Sequence, residues 1–397
     1  EKFLDKDVGK HNFITMGQIY QEVIKKERNV EYKGEDVEAI PHVCEEIIRR
    51  IKLAATIEKA DIVIVELGGT AGEYQNALYY EASRIMKLVY KDVVLHIHVS
   101  YLPTPKHLGE PKTKPTQLSV RYLNSMGIQP DFIVCRGEKE LDDRRKERLA
   151  MFCNVNKEDV INNPDVNSVY ELPVLFKKDN FDQKILVKLG LPASSYDFKE
   201  WTAMVNNTKS LKHNITIAIV GKYFSTGNYE LKDSYAALFD ALDHAGISQH
   251  TKVNTKWINA EKLNDVNIKE ILKDVDGIIV PIGWGSRGVE GMISAISYAR
   301  INKIPYLGLC YGMQLAVVEF ARNVLKLANA NTTEADPKTS YPVIYTNPFQ
   351  DKMIENRAYG GTMRLGRWEC RVLKKSTAYE IYKNAGLLSK TDTVFER

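Results

Sequence analysis

Six short apolar runs, rich in β-branched residues, recur along the chain: "DIVIVEL" (61–67), "DVVLHIHVS" (92–100), "DFIVCRG" (131–137), "ITIAIVGKY" (215–223), "GIIVPIGWG" (277–285) and "IPYLGL" (304–309). Each is apolar almost throughout rather than at alternate positions, so each is expected to be a strand buried on both faces. Such strands lie parallel and need helical crossovers above and below the sheet. Stretches of helical spacing do stand between the runs. After Cys310, for instance, Met313, Val317, Phe320, Val324 and Leu327 fall three or four apart and mark one helical stripe. The expected fold class is therefore α/β, with doubly wound parallel sheets.

A chain of 397 residues is long enough for two such domains. Between Trp201 and Asn214 the segment "WTAMVNNTKSLKHN" is polar and without strand periodicity, and it is read as a linker. The expected division is 1–200, a linker over 201–214, and 215–397. No apolar stretch is long enough to span a bilayer, and the net charge of +4 comes without a polybasic block. Neither membrane nor nucleic-acid binding is indicated. Five cysteines, odd in number and without C-x-x-C spacing, fit a reducing, cytosolic compartment.

The chemistry concentrates in "PYLGLCYGMQ" (305–314), where Gly308-Leu309-Cys310-Tyr311-Gly312 has the form G-x-C-x-G between a strand and a helix. A nucleophile at such a junction stands above the sheet edge, and small neighbours permit the strained turn. A lone cysteine is more often a buried structural residue, but the flanking glycines and the preceding strand favour the nucleophile. "PIGWGSRGVEG" (281–291) is a second glycine-rich turn after a strand, able to aim backbone N–H groups at a developing oxyanion. A thiol nucleophile also needs a base, yet none of the eight histidines follows Cys310. In the first half, Glu66 stands at the end of an apolar run before Gly68-Gly69-Thr70, a usual place for a magnesium ligand. In "PKTKPTQ", Lys112 and Lys114 stand beside a helix start at Pro115 and make an anion site suited to a triphosphate, with Gln117 near a base or ribose.

Together these residues resemble the CTP synthase family. The segment "DGIIVPIGWGSRGVEGMISAISYARINKIPYLGLCYGMQ" is similar to its class I glutamine amidotransferase core, followed in order by "NANTTEADP" and "YGGTMRLG" (359–366). "NFITMGQIYQEVIKKER", "ELGGTAG", "GEPKTKPTQLSV" and "AMFCNV" resemble the synthetase, or amidoligase, half. The resemblance implies a P-loop-NTPase-like first domain and the amination of UTP to CTP, with ATP as co-substrate and Mg2+ as cofactor. The ammonia would come from glutamine. Cys310 would be the nucleophile, with Gly283, Gln314 and Glu334 around the glutamine and Glu66 on the metal. Lys112, Lys114, Gln117, Arg84, Arg148 and Phe152 would serve UTP or the inhibitor CTP across a subunit interface. Lys222 and Arg364 would belong to a lid responding to the activator GTP, with Gly360-Gly361 letting it move. Homotetramers, and filaments built from them, would be the assembly.

The chain also departs from that pattern. Ile282 replaces the first glycine of a pair, and a β-branched residue there is expected to crowd the oxyanion turn. Gln75 in "GEYQ" replaces a glutamate used around the regulatory pyrimidine; Arg148 replaces a lysine and Leu118 a histidine. In the family the triad histidine and glutamate follow "VxER", where this chain stops at Glu396-Arg397, and no phosphate-binding glycine loop is present. Both domains are therefore expected to be incomplete, and the 397 residues by themselves to have little activity. Two readings follow: a segment of an active CTP synthase, or a non-catalytic divergent homologue that assembles with intact subunits as a structural or regulatory partner.

Overall fold

The computed structural model describes the chain apart from residues 1, 2, 5–7, 91–93, 194, 227, 228, 231, 348–354, 357–367 and 397. The chain forms two compact units, Glu1–Val205 and Asn206–Arg397.

The first unit opens with three helices, α1 (Met16–Arg28), α2 (Cys44–Glu58) and α3 (Ala77–Tyr90). Thr15 and Gln18 form a capping box that starts α1. Ile19, Val23, Cys44, Ile47 and Ala82 make a small core among the three helices. At its edge Glu46, 2% exposed, accepts from Lys26, Arg49 and Arg50 at 2.7–3.0 Å. His42 is buried too, its Nδ1 accepting the Glu38 N–H at 3.0 Å, as a packed core histidine would.

The sheet of this unit has three parallel strands in the order β1 (Ile97–Tyr101), β2 (Phe132–Gly137), β3 (Val160–Pro164). Alternation along β2 explains its continuous apolar sequence. Ile133 and Cys135 pack into a core shared with Val120 of α4 (Lys114–Ser125) and Leu149 of α5 (Asp143–Cys153). Phe132 and Val134 pack with Phe176 of α6 (Leu172–Lys178) and with Phe181 and Ile185 of α7 (Phe181–Lys188).

Two expectations fail here. "DIVIVEL" is not a strand: none of its residues joins a ladder, and Ile64 is 91% exposed. Apolar composition makes a strand only where a neighbour supplies hydrogen bonds, and no described strand lies alongside. The segment read as linker begins as a helix, α8 (Lys199–Thr208). Trp201 ties it down, donating from Nε1 to Tyr170 O at 2.9 Å and stacking near Phe198. Only residues 209–212 separate α8 from the next strand.

The second unit is built on the parallel sheet β7-β4-β8-β9. Its strands are β4 (His213–Gly221), β7 (Thr251–Asn259), β8 (Gly277–Val280) and β9 (Tyr306–Gly308), with a two-stranded ribbon of β5 (Ser225–Thr226) and β6 (Tyr229–Glu230) in between. Helix α9 (Ala236–Ser248) packs on one face through Leu238, Phe239 and Leu242. On the other, α10 (Ile268–Leu272), α11 (Val289–Asn302) and α12 (Tyr311–Asn323) close the main core around Val220, Ile278, Val280, Met292 and Leu315. Arg300 of α11 clamps the buried Glu319 of α12 at 2.8 Å. The chain then forms the paired strands β10 (Ala330–Thr332) and β11 (Tyr341–Ile344), and an antiparallel pair, β12 (Trp368–Arg371) and β13 (Thr393–Glu396), around α13 (Thr377–Asn384).

The three cations around Glu46 hold its pKa down, against its burial, from the ordinary 4.5 to about 2. Its contribution to stability is therefore complete above about pH 4.5 and declines as the pH falls toward 2. Glu46→Gln is expected to cost roughly 3 kcal/mol at pH 7 and only about 1 kcal/mol at pH 3. Urea unfolding at the two pH values checks this; a cost independent of pH would contradict it.

Candidate active site

Cys310 stands as the N-cap residue of α12 with φ 51° and ψ −101°, a left-handed conformation that a non-glycine residue adopts only under constraint. The constraint comes from both neighbours. A Cβ on Gly312 would lie 2.0 Å from Val280 O, and one on Gly308 would lie 2.6 Å from Met313 N. Only glycine fits either place, so the turn lifts the exposed Cys310 out between the buried Tyr311 and Gly312 and the sheet edge. The first helical N–H groups open toward this turn. Among the described residues, nothing hydrogen-bonds the thiol.

Beside the elbow runs the loop that follows β8. Ile282 is not at positive φ and its side chain is half exposed, so the crowding expected of a β-branched residue does not occur. Gly283 packs where a Cβ would lie 3.2 Å from Tyr311 Cδ1 and 2.8 Å from Lys222 Cε. Gly285 N–H donates to Glu334 Oε1 at 2.6 Å. This contact brings "NTTEA" against the loop after β8. Gln314 lies one turn into α12, its N–H bonded to Cys310 O at 3.1 Å.

Lys222 is where the expectation breaks. A lid residue responding to a nucleotide would present its ammonium to solvent, but Lys222 is 2% exposed. Its Nζ donates to the carbonyls of Trp284, Gly285 (3.0 Å) and Arg287 (3.1 Å) and lies 4.7 Å from the Tyr311 ring centre. Burial holds its pKa below the usual lysine value. Arg364 and Gly360-Gly361 lie outside the described residues. Three tyrosines at this site were not read from the sequence. Tyr223 Oη accepts from Trp284 N–H at 3.1 Å, Tyr235 Oη donates to Ile282 O at 3.2 Å, and Tyr311 Oη donates to Gly285 O at 2.8 Å. For Tyr223 and Tyr311 a signal existed: each directly follows a residue already singled out, at the carboxyl end of a strand.

In the first unit the N-terminus of α4 gathers part of the expected nucleotide site. Gln117 is buried; its Nε2 donates to Thr113 Oγ1 at 3.1 Å, while Oε1 has no partner among the described residues. Thr104 Oγ1 also has no partner among the described residues. Lys114 Nζ lies 5.7 Å from the Phe152 ring centre, and Arg148 shares that exposed face of α5 one turn earlier. Lys112 is paired with Glu110 at 2.6 Å, which Arg145 also grips. Arg84 is elsewhere. Paired with Glu81, it packs on Gly127, beyond the other end of α4. The twelve residues of α4 put about 18 Å between that end and Lys114. Glu66 is exposed on the unpaired segment rather than at the end of a buried strand. Among the described residues no three His, Cys, Asp or Glu side chains are grouped to hold a metal ion. One carboxylate completed by phosphate oxygens is nonetheless a usual magnesium arrangement.

A parallel-sheet unit with a cysteine elbow is joined in one chain to a second α/β unit, and comparisons with known proteins give the class: a glutamine-dependent carbon–nitrogen ligase. Residues 1–191 match the family model described as CTP synthase N-terminus, and residues 230–391 match glutamine amidotransferase class-I. The CTP synthase of Caldanaerobacter subterraneus subsp. tengcongensis is 46% identical over 385 residues, covering 97% of this chain and 70% of the relative. Those of Clostridium kluyveri and Pyrococcus abyssi are each 44% identical over 398 residues, covering all of this chain and 71% of the relative. A solved Trypanosoma brucei chain, described as a CTPS glutaminase domain with bound acivicin, is 33% identical, with 46% of this chain and 65% of that one covered. Its TM-score of 0.39 is too low to bear on the fold. The chain belongs to the CTP synthase family.

The five thiols fall into two sets. Burial pushes Cys44 and Cys153 up to about 11 and Cys135 up to about 12, whereas Cys310 and Cys370 are exposed. Iodoacetamide at pH 8 is expected to add to Cys310 and Cys370 alone, and to all five after unfolding. Peptide mass spectrometry reads the sites; rapid native labelling of Cys135 would contradict the assigned fold.

Proposed function

We propose that this chain aminates UTP to CTP with ammonia released from glutamine, through the residues named below. The observation that carries the reading is the strained elbow at Cys310 beside the Gly285–Glu334 contact. The thiol sulfur attacks the glutamine side-chain carbonyl, the C–N bond breaks, and ammonia leaves with the added proton. Water then cleaves the thioester and releases glutamate. The N–H groups of Gly283 and Tyr311 would hold the oxyanion; that neither donates elsewhere among the described residues supports this. Glu334 takes the glutamine amino group, and Gln314, one turn into the helix that Cys310 caps, serves the same substrate.

In the first unit ATP phosphorylates the 4-oxygen of UTP, and ammonia displaces the phosphate, giving CTP, ADP and phosphate. Lys112, Lys114 and Gln117 hold the pyrimidine nucleotide with Arg148 and Phe152. The unpaired Gln117 Oε1 supports this, because a buried acceptor without a donor costs about 1–3 kcal/mol that a ligand N–H or O–H offsets. Arg84, a helix length from Lys114, would reach such a site from another copy, which fits a nucleotide site shared between subunits of a homotetramer. Such tetramers would in turn build filaments, as the family resemblance implies. Glu66 would hold Mg2+, which when bound neutralises phosphate charge. GTP as activator, CTP as inhibitor and a cytoplasmic location complete the reading. Among the described residues, no helix is long and apolar enough to cross a membrane.

In an enzyme complete in both domains, Cys310→Ala is expected to abolish CTP formation from glutamine and to leave formation from ammonia within about twofold, because only glutamine cleavage uses the thiol. Loss of both rates in a folded variant would contradict the assignment. A second expectation concerns regulation. Gln75 donates to Glu73 and brings no charge of its own to the loop. CTP inhibition is therefore expected to differ from that of relatives with glutamate here. Ordinary inhibition, unchanged by Gln75→Glu in a CTP titration, would refute this.

A further inference from the structure

The loop after β8 is held largely through its carbonyl groups. Tyr235 takes Ile282 O, Lys222 takes the carbonyls of Trp284, Gly285 and Arg287, and Tyr311 takes Gly285 O as a second donor. Arg287 returns the contact, donating from Nη2 to Lys222 O at 2.9 Å. All three ammonium donors of Lys222 are thus matched by carbonyls, a geometry that a compact tetrahedral cation satisfies and a planar guanidinium does not.

This grip sets the polarity of the peptide units. In a trans peptide the C=O and the following N–H point in opposite directions. Turning Trp284 O inward onto Lys222 therefore turns Gly285 N–H outward, where it meets Glu334 Oε1 at 2.6 Å. Glycine at 285, with φ 70°, makes that orientation accessible. Without the ammonium, Trp284 O and Arg287 O would lose their donor and Gly285 O would keep only Tyr311, and flipping the 284–285 peptide into water would be the relief. The flip would point a carbonyl at Glu334 and repel it.

We propose that Lys222 is a positioning residue for glutamine recognition: it fixes the 284–285 peptide so that Glu334 is held where the substrate amino group binds. This rests on the reading of Cys310 and Glu334 as the glutamine site. Lys222 touches no substrate and acts through the loop it grips.

The test is protection of Cys310 by glutamine against iodoacetamide, read peptide by peptide in the full chain. Glutamine is expected to slow alkylation of the unmodified protein. In Lys222→Met the half-protecting glutamine concentration should rise about tenfold, the loss of a charged hydrogen-bond set, while unprotected alkylation stays within about twofold. A purely structural role would move melting temperature or basal alkylation instead. An unchanged half-protecting concentration in folded Lys222→Met overturns the inference and leaves the glutamine site standing. Absence of protection in the unmodified protein removes the glutamine reading, and the inference with it. Should Lys222→Met fail to fold by circular dichroism, Tyr311→Phe, which removes one donor from Gly285 O, carries a rise of about threefold. No rise in that variant overturns the inference equally.

Discussion

The approach of the first turn of α12 to the end of β8 governs the second unit. Val280 O accepts Leu309 N–H at 3.0 Å, and the space a Gly312 side chain would need is already filled by that same carbonyl. The chain must reverse between these anchors, and Cys310 takes the strained conformation that results. Such backbone costs about 1–3 kcal/mol. Burying Tyr311, Leu315 and Val318 directly behind it stabilises by about 1.5–3 kcal/mol per side chain, which offsets the strain severalfold. The elbow is thus a consequence of core packing, and the exposed thiol follows from it.

The same packing aligns the rest of the site. Strands β4, β8 and β9 are parallel neighbours, so their carboxyl ends open on one edge. From that edge come Lys222 and Tyr223, the loop around Gly283, and Cys310. Helices α11 and α12 follow the last two turns, and their mutual position is fixed by Arg300 on Glu319 and by Arg322 on Glu290 at 2.9 Å. A shift of either helix would carry its turn with it. The buried ion pair at Glu319 therefore acts on the site through register, whatever it adds to stability, and the registry role of buried charges is the better attested one.

How much of this was legible in the sequence depends on what the signal measured. The glycines at 308 and 312 announced the elbow because steric exclusion is local, and the elbow formed where they stood. The near-continuous apolar runs found the central strands β2, β4 and β8, and also the edge strands β1 and β9, which are not buried on both faces. The same rule passed over β7, an edge strand whose "TKVNTKWIN" alternates, and β3, which carries Asn162 and Asn163. It also wrongly promoted residues 61–67, because pairing is a property of the neighbour and not of the segment. Lys222 was misplaced for a related reason. A lysine in a turn reads as a surface cation, and the three carbonyls that make burial tolerable come from residues more than sixty positions away.

Helix α12 sharpens the point. Met313, Val317, Phe320 and Val324, the stripe that marks the helix in sequence, are its outward face, each between 40% and 52% exposed. The face on the sheet is made of Gly312, Leu315, Val318 and Ala321, with Glu319 neutralised by Arg300. A helix that must lie against β8 closely enough for Gly312 to meet Val280 O needs small or compact residues on that side. Large apolar side chains are consequently displaced to the opposite face. Hydrophobic spacing locates the helix and its period correctly, but the inner face is selected by size at the point of closest approach. Here that point is the glycine two residues after the nucleophile.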